Sequence, residues 1–277
     1  MTQLPEVEVL RKELEKDVVG KRVKDVTVKT AGVVGRHRTR PDFVKAVAGH
    51  KIESVTRRGT HLVLALDGGT ALVVRLGSQG TFSRETATVE PGRYTQVVAT
   101  FTTGGALHYV DPDKDGELFV VDSGDVLLLP ELSTGAIDPL TDTFTWPSFS
   151  RQLKARKETL KKLLLDPGFI VGLGDVYSDE ILWAAGLSGK RLTSTLSSQE
   201  VRRLYRAVQE VLYEAVKQGG TDVPDGSDSD PFDELAQGGY LKVYGRDGQP
   251  CARCRQPIVH RKLDSRTASY FCAQCQT

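Results

Sequence analysis

Four cysteines, Cys251, Cys254, Cys272 and Cys275, form one pattern, C-x2-C-x17-C-x2-C, within the last 27 residues of a 277-residue chain. Each C-x-x-C pair suits a tight turn that aims both sulfurs at one point, and two such pairs complete a tetrahedron of thiolates around a Zn²⁺ ion. Between the pairs, Ile258, Val259, Ser269, Tyr270 and Phe271 read as the two strands of a hairpin. So short a segment cannot bury a core of its own, so metal binding would supply its folding energy. Two disulfides or a redox pair are the competing uses, but a disulfide framework normally serves a small secreted domain. Four thiolates leave no position for water, so the ion would be a staple and not a catalyst.

A second stretch could hold an anion. Leu163 to Leu182 joins two helical patterns through a double turn in which Pro167 and Gly168 break the first helix, and Gly172 and Gly174 permit close approach of the backbone. Free N–H groups at the start of the following helix would face a phosphate. The plain alternative is a tight connection between packed helices. Basic residues crowd two places: Arg151, Lys154, Arg156, Lys157, Lys161 and Lys162, then Arg253, Arg255, Arg261, Lys262 and Arg266. Either run could be a solvated face, yet both flank other candidate phosphate sites. The formal net charge of +1 argues weakly against a dedicated nucleic-acid binder.

These groups need elements to position them. Pro5 suits a helix start, Val7, Leu10, Leu14 and Val18 fall on one face, and Gly20 is a stop. Alternation then predicts strands: Val23, Val26 and Val28; His61–Leu66 and Thr70–Leu76 joined by Asp67-Gly68-Gly69; Thr95–Thr102 and Ala106–Val110 joined by Thr103-Gly104-Gly105; Gly116–Val121 and Val126–Leu129. Helical spacing follows over Phe149–Leu165, Ser178–Ala185 and Ser197–Lys217, and Asp222–Asp233 reads as an acidic mobile loop. The fold class is α+β: an N-terminal helix plus β-sandwich domain (1–132), a linker (133–147), a helical domain with a helix-two-turn-helix and the acidic loop (148–240), and a zinc-ribbon finger (241–277). Composition is 39% hydrophobic with no membrane-length apolar run and no signal-peptide pattern, so a cytoplasmic, nucleoid-associated monomer is expected.

In combination the chain resembles the formamidopyrimidine-DNA glycosylase and endonuclease VIII family. Leu4-Pro5-Glu6-Val7-Glu8 is similar to that family's N-terminal signature, Gly172 to Glu180 to its helix-two-turn-helix, and Val243 to Cys251 with Cys272 to Gln276 to its zinc finger. The resemblance implies base-excision repair on damaged double-stranded DNA. Met1 is removed, an N-terminal proline attacks the sugar C1′ through its α-amine, a Schiff base forms, and a glutamate next to it handles protons. It also implies DNA contacts from Lys114, Lys162, Gly174, Asp175, Tyr244, Arg246 and Arg266, and a structural Zn²⁺ on the four cysteines.

The departures fall on the working positions. Thr2 stands at the proline, Gln3 at the glutamate, Thr60 at a DNA-contacting lysine, and Ser78 at a methionine that fills the gap left by a flipped base. Asp111-Pro-Asp-Lys-Asp-Gly116 replaces a basic and aromatic stretch, Asp175 replaces a phosphate-binding asparagine, and Thr267 aligns with an arginine one residue from Arg266. Thr2 still offers a primary α-amine once Met1 is removed. Gln3 cannot exchange protons as a carboxylate does. Three readings follow: a DNA-binding member whose base excision is weakened or lost; an active DNA glycosylase and AP lyase using the Thr2 α-amine, mainly as an abasic-site lyase, with Glu6 for residual proton handling; and a zinc-ribbon scaffold that binds protein. The five histidines show no metal spacing, Trp146 and Trp183 read as core, and Glu8 reads as an exposed helix position.

Overall fold

A computed structural model describes residues 2–221, 239–263 and 267–277. The acidic stretch 222–233 and Arg266 lie outside the described residues. The chain divides into two compact units, Met1–Thr134 and Gly135–Thr277.

The first unit begins with α1 (Leu4–Val18), which buries Leu4, Val7, Leu10, Leu14 and Val18 at the spacing its sequence dictates. Two four-stranded antiparallel sheets follow. One has the order β1 (Val23–Val28), β6 (Thr95–Phe101), β7 (Ala106–Val110), β5 (Thr81–Glu85); the other runs β2 (Ile52–Arg58), β3 (His61–Leu66), β4 (Thr70–Arg75), β8 (Glu117–Asp122). Side chains alternate across a strand. Leu62, Leu64 and Leu66 therefore enter a core shared with α1 and the other sheet, while Val63 joins Val73, Phe119 and Val126 on the opposite face. Burial on both faces is why β3 and β4 read as continuous apolar runs.

Three features differ from the sequence expectation. Val126–Leu129 is not a strand: Ser123–Leu128 forms a 3-10 helix whose Val126 caps the outer face of the second sheet. A short helix, α2 (Arg40–Val47), interrupts the strands; Pro41 sits in its first turn and Thr39 accepts from the Asp42 N–H. Glu8 is not an exposed position, since it takes hydrogen bonds from Arg57 (2.8 Å) and Arg11 (3.0 Å) against the sheet.

The second unit is helical, with α3 (Trp146–Lys154), α4 (Leu160–Leu165), α5 (Asp175–Ala185) and α6 (Ser198–Lys217), and ends in an antiparallel hairpin of β9 (Val259–Lys262) and β10 (Ala268–Phe271). The single helix expected over Phe149–Leu165 is two. The chain leaves helical geometry at Arg156–Thr159, where Leu160 N–H donates to Arg191 O and Thr193 Oγ1 to Arg156 O. Pro147 lies inside the first turn of α3, so that helix starts within the stretch read as linker. Ser197 and Glu200 form a reciprocal capping box on α6. Phe144, Phe149, Phe169 and Tyr205 pack as an aromatic cluster; Trp146 touches Tyr205 from a half-exposed position rather than from the core.

Candidate functional site

In the first unit, the residues with candidate chemistry meet at the start of α1. Thr2 precedes the helix and Gln3 is its N-cap residue. The Thr2 N–H and the Thr2 hydroxyl both donate to the Gly77 carbonyl, at 3.3 and 3.1 Å. Gly77 has φ +83°, and a side chain there would strike Asp115 Oδ1 and the Gly116 amide, so only glycine fits. The next residue, Ser78, is clasped by Asp115, which accepts from its N–H (2.9 Å) and its hydroxyl (2.6 Å). Those two hydrogen bonds, the hydroxyl first, hold the Asp115 carboxyl below the usual carboxylate range. Asp111, fully buried, fixes the rest of the turn by accepting from Lys114 N–H, Gly116 N–H and the Tyr109 hydroxyl. Lys114 is exposed in the left-handed region, φ +58°, at the apex of that turn. Thr60 is half-buried after Gly59, in the β2–β3 turn, and Glu6 lies half-buried in the first turn of α1.

In the second unit the double turn ends at Gly174, the N-cap residue of α5, and Asp175 opens the helix. Asp175 is 58% exposed, with one oxygen 3.1 Å from Lys161 Nζ. Lys161, which belongs to a run that reads as a basic surface, is only 1% exposed, and it also donates to Ser178 Oγ (2.8 Å) and Asp179 Oδ1 (2.7 Å). A buried ammonium needs such partners to offset desolvation. Arg156 is likewise engaged, with Asp166 and the Gly168 carbonyl, while Arg151, Lys154, Lys157 and Lys162 are exposed or half-exposed.

Two carboxylates on the buried side of α5 tie it to the C-terminal segment. Asp179 accepts from Ser269 Oγ (2.6 Å) and Tyr270 N–H (2.7 Å). Glu180 accepts from the N–H groups of Lys242, Val243 and Tyr244 at 2.8–2.9 Å. Burial pushes the Glu180 carboxyl up, against the pull of those three donors. This orders the loop that bears Tyr244 and Arg246. Tyr244 packs on Tyr270 (4.9 Å between rings), and Arg246 folds back onto Gln249 and the Leu241 and Lys242 carbonyls. Sequence reasoning missed Asp179 and Glu180. The available signal was a pair of acids directly before the apolar run Ile181–Ala185.

The four cysteine sulfurs converge within 4.8 Å of one another and none is in a disulfide. The Cys251–Cys275 and Cys254–Cys272 pairs are 3.9 and 3.4 Å apart. A tetrahedron with Zn–S bonds of about 2.3 Å has edges of about 3.8 Å, so the donor set fits a tetrahedral thiophilic ion. Trp183 Nε1 points at Cys251 Sγ (3.5 Å), and Arg253 stacks on the Trp183 ring at 4.0 Å while donating to the Trp183 and Ala184 carbonyls at the end of α5. Burial raises the Cys251 thiol, but the N–H groups of Cys254, Trp183 and Arg253 outweigh it and bring it down to about 6. A thiolate held by N–H donors is the form a metal ligates.

The family model of the formamidopyrimidine-DNA glycosylase N-terminal domain matches residues 1–118, and that of its H2TH domain matches 136–225. The chain belongs to the formamidopyrimidine-DNA glycosylase family. Similarity to relatives runs the length of the chain: it is 39% identical to the formamidopyrimidine-DNA glycosylase of Thermus thermophilus, over all of this chain and 98% of that protein. The identity to the enzyme of Pelotomaculum thermopropionicum is 34%, over 100% and 99%. Among solved structures, the Lactococcus lactis Fpg in complex with abasic-site DNA superposes with TM-score 0.87 at 26% identity, covering 99% of each chain. The Fpg (MutM) protein of Thermus thermophilus gives TM-score 0.80 at 36% identity, covering 99% and 98%. The α+β architecture of the family and its four-cysteine cluster are both present. Among the described residues no helix is long and apolar enough to cross a membrane.

Proposed function

We infer that this protein binds damaged or abasic double-stranded DNA in base-excision repair, as a cytoplasmic monomer, with base excision itself weakened or lost. The Ser78–Asp115 clasp carries this reading. These two positions are where the family resemblance implies a gap-filling methionine and part of a basic and aromatic stretch, and here both side chains are polar and satisfied by each other. Gln3 adds to it, because a carboxamide cannot relay the protons that a carboxylate does, a loss of about 10²–10⁴-fold. DNA backbone contact would come from Gly174 at the α5 start, from Lys162 of α4, and from Lys114, Tyr244, Arg246 and Arg266. Asp175, which would repel a phosphate alone, shares the Lys161 ammonium, at 3.1 Å, with Asp179. Cys251, Cys254, Cys272 and Cys275 would hold one Zn²⁺, whose role is to fix the hairpin. Two assays test the reading: salt-dependent binding to a duplex with a tetrahydrofuran abasic analogue, and base release from a formamidopyrimidine-containing duplex. Tight abasic binding with slow release is expected; release as fast as that of the Thermus thermophilus relative would overturn it.

A second reading is favoured by the Thr2 nitrogen, which is fixed on the Gly77 carbonyl beside the clasp. With Met1 removed that nitrogen is an α-amine, and α-amines are partly neutral near pH 7. The protein would then act as an abasic-site lyase through a Schiff base, with Glu6 near the helix start for residual proton handling. Borohydride should trap it on abasic DNA, and acetylation of the Thr2 amine should abolish trapping.

A further inference from the structure

Thr2 brings to this position something a proline lacks, a hydroxyl two carbons from the reacting nitrogen. Both groups reach the same oxygen, with Thr2 N at 3.3 Å and Oγ1 at 3.1 Å from the Gly77 carbonyl. A gauche arrangement about the Cα–Cβ bond brings the two onto one acceptor, and that arrangement also places them to close a five-membered ring on one carbon. The acceptor is rigid. Gly77 is held in the left-handed region against Asp115 and Gly116, and Asp115 clasps Ser78 through two hydrogen bonds.

We propose that Thr2 captures the aldehyde of an abasic deoxyribose as an oxazolidine, a ring adduct that protects the site instead of cutting it. The proposal rests on the Schiff-base reading of Thr2. The chemistry balances without a co-reactant. The α-amine adds to the C1′ aldehyde and water leaves, giving the protonated imine. The Thr2 hydroxyl oxygen then bonds to C1′, the C=N pair of electrons returns to nitrogen, and the hydroxyl proton is lost to solvent. The net change is aldehyde plus amino alcohol to oxazolidine plus water. Strand scission by β-elimination needs the C=N bond, which acidifies the C2′ protons, and the ring has none. Gln3, unable to act as a carboxylate base, slows loss of that proton from the residual imine.

The test uses the full-length protein processed to Thr2, confirmed by mass spectrometry. It is incubated with a duplex oligonucleotide bearing one abasic deoxyribose labelled with ¹³C at C1′. Thr2→Ser keeps the amino alcohol and Thr2→Ala keeps only the amine. The native protein and T2S should give an adduct whose C1′ resonates as a saturated carbon bonded to oxygen and nitrogen, with an intact strand. T2A should show the imine carbon and cut faster; if the ring outweighs the imine by ten to one, the difference is about tenfold. Equal cutting and an imine carbon in all three overturn the ring while leaving the Schiff base standing. If borohydride traps none of the three, the Schiff-base reading falls and the ring with it.

Discussion

Gln3 and the residues around Thr2 set the chemistry at the smallest scale. Replacing Gln3 by Glu restores a carboxylate directly after the amine, and strand cleavage at an abasic site should rise by about 10²–10⁴-fold. The measurement is single-turnover cleavage of an abasic duplex by Q3E against the native protein. The cysteines are readable from sequence because each pair is local and its spacing alone dictates a shared focus. The Thr2–Gly77 and Ser78–Asp115 contacts are not, since they span 75 and 37 residues. Nothing in a serine or an aspartate announces a partner that far along the chain. The substitutions themselves stand out against the family pattern; their mutual satisfaction is visible only in three dimensions.

Elements carry the next set of consequences. Lys161 joins α4 to α5 through Asp175, Ser178 and Asp179, with Lys161 and Asp179 both 1% exposed. Lys161→Ala would leave the Asp179 carboxylate buried without its cation, and urea unfolding should show a loss of about 3–5 kcal/mol. Adding Asp179→Asn should recover part of it. At the start of α6, hydrogen bonds from Arg191 and then from Ser197 bring Glu200 down to about 2. A depressed carboxyl stabilises the fold above its unfolded pKa, near 4.5, and that contribution disappears as pH falls from there toward 2. Amide protection factors, the exchange rates corrected for the intrinsic pH dependence, should therefore fall at the first turn of α6 across this window in the native protein, and Glu200→Gln should flatten the dependence. The capping box is written in Ser197-Ser-Gln-Glu200, but the break between α3 and α4 is not. Arg156–Thr159 contains no proline or glycine, and it leaves the helix because Arg191 and Thr193 offer its backbone other partners.

At the scale of the whole chain, the two units differ in what they depend on. All four cysteines lie in the second unit, which also holds both tryptophans, Trp146 and Trp183. In a Trp146→Phe background, Trp183 beside Cys251 reports the metal site alone. A chelator should change its fluorescence and release one Zn²⁺ per chain, while the β-sheet signal of the first unit persists. Unchanged Trp183 emission with the metal gone would mean that the hairpin stands without it. The buried carboxylates of α5 also impose an order in time. Glu180 finds its N–H donors 62–64 residues downstream, and Asp179 finds the Ser269 hydroxyl and the Tyr270 N–H 90 and 91 residues downstream. At the pace of a ribosome those partners arrive on the order of ten seconds after α5 itself. For that interval Glu180 lacks its three N–H donors and Asp179 has Lys161 but not the donors of the hairpin, so both carboxyl groups favour water over the interior. The nascent second unit therefore waits, solvated, for its final segment.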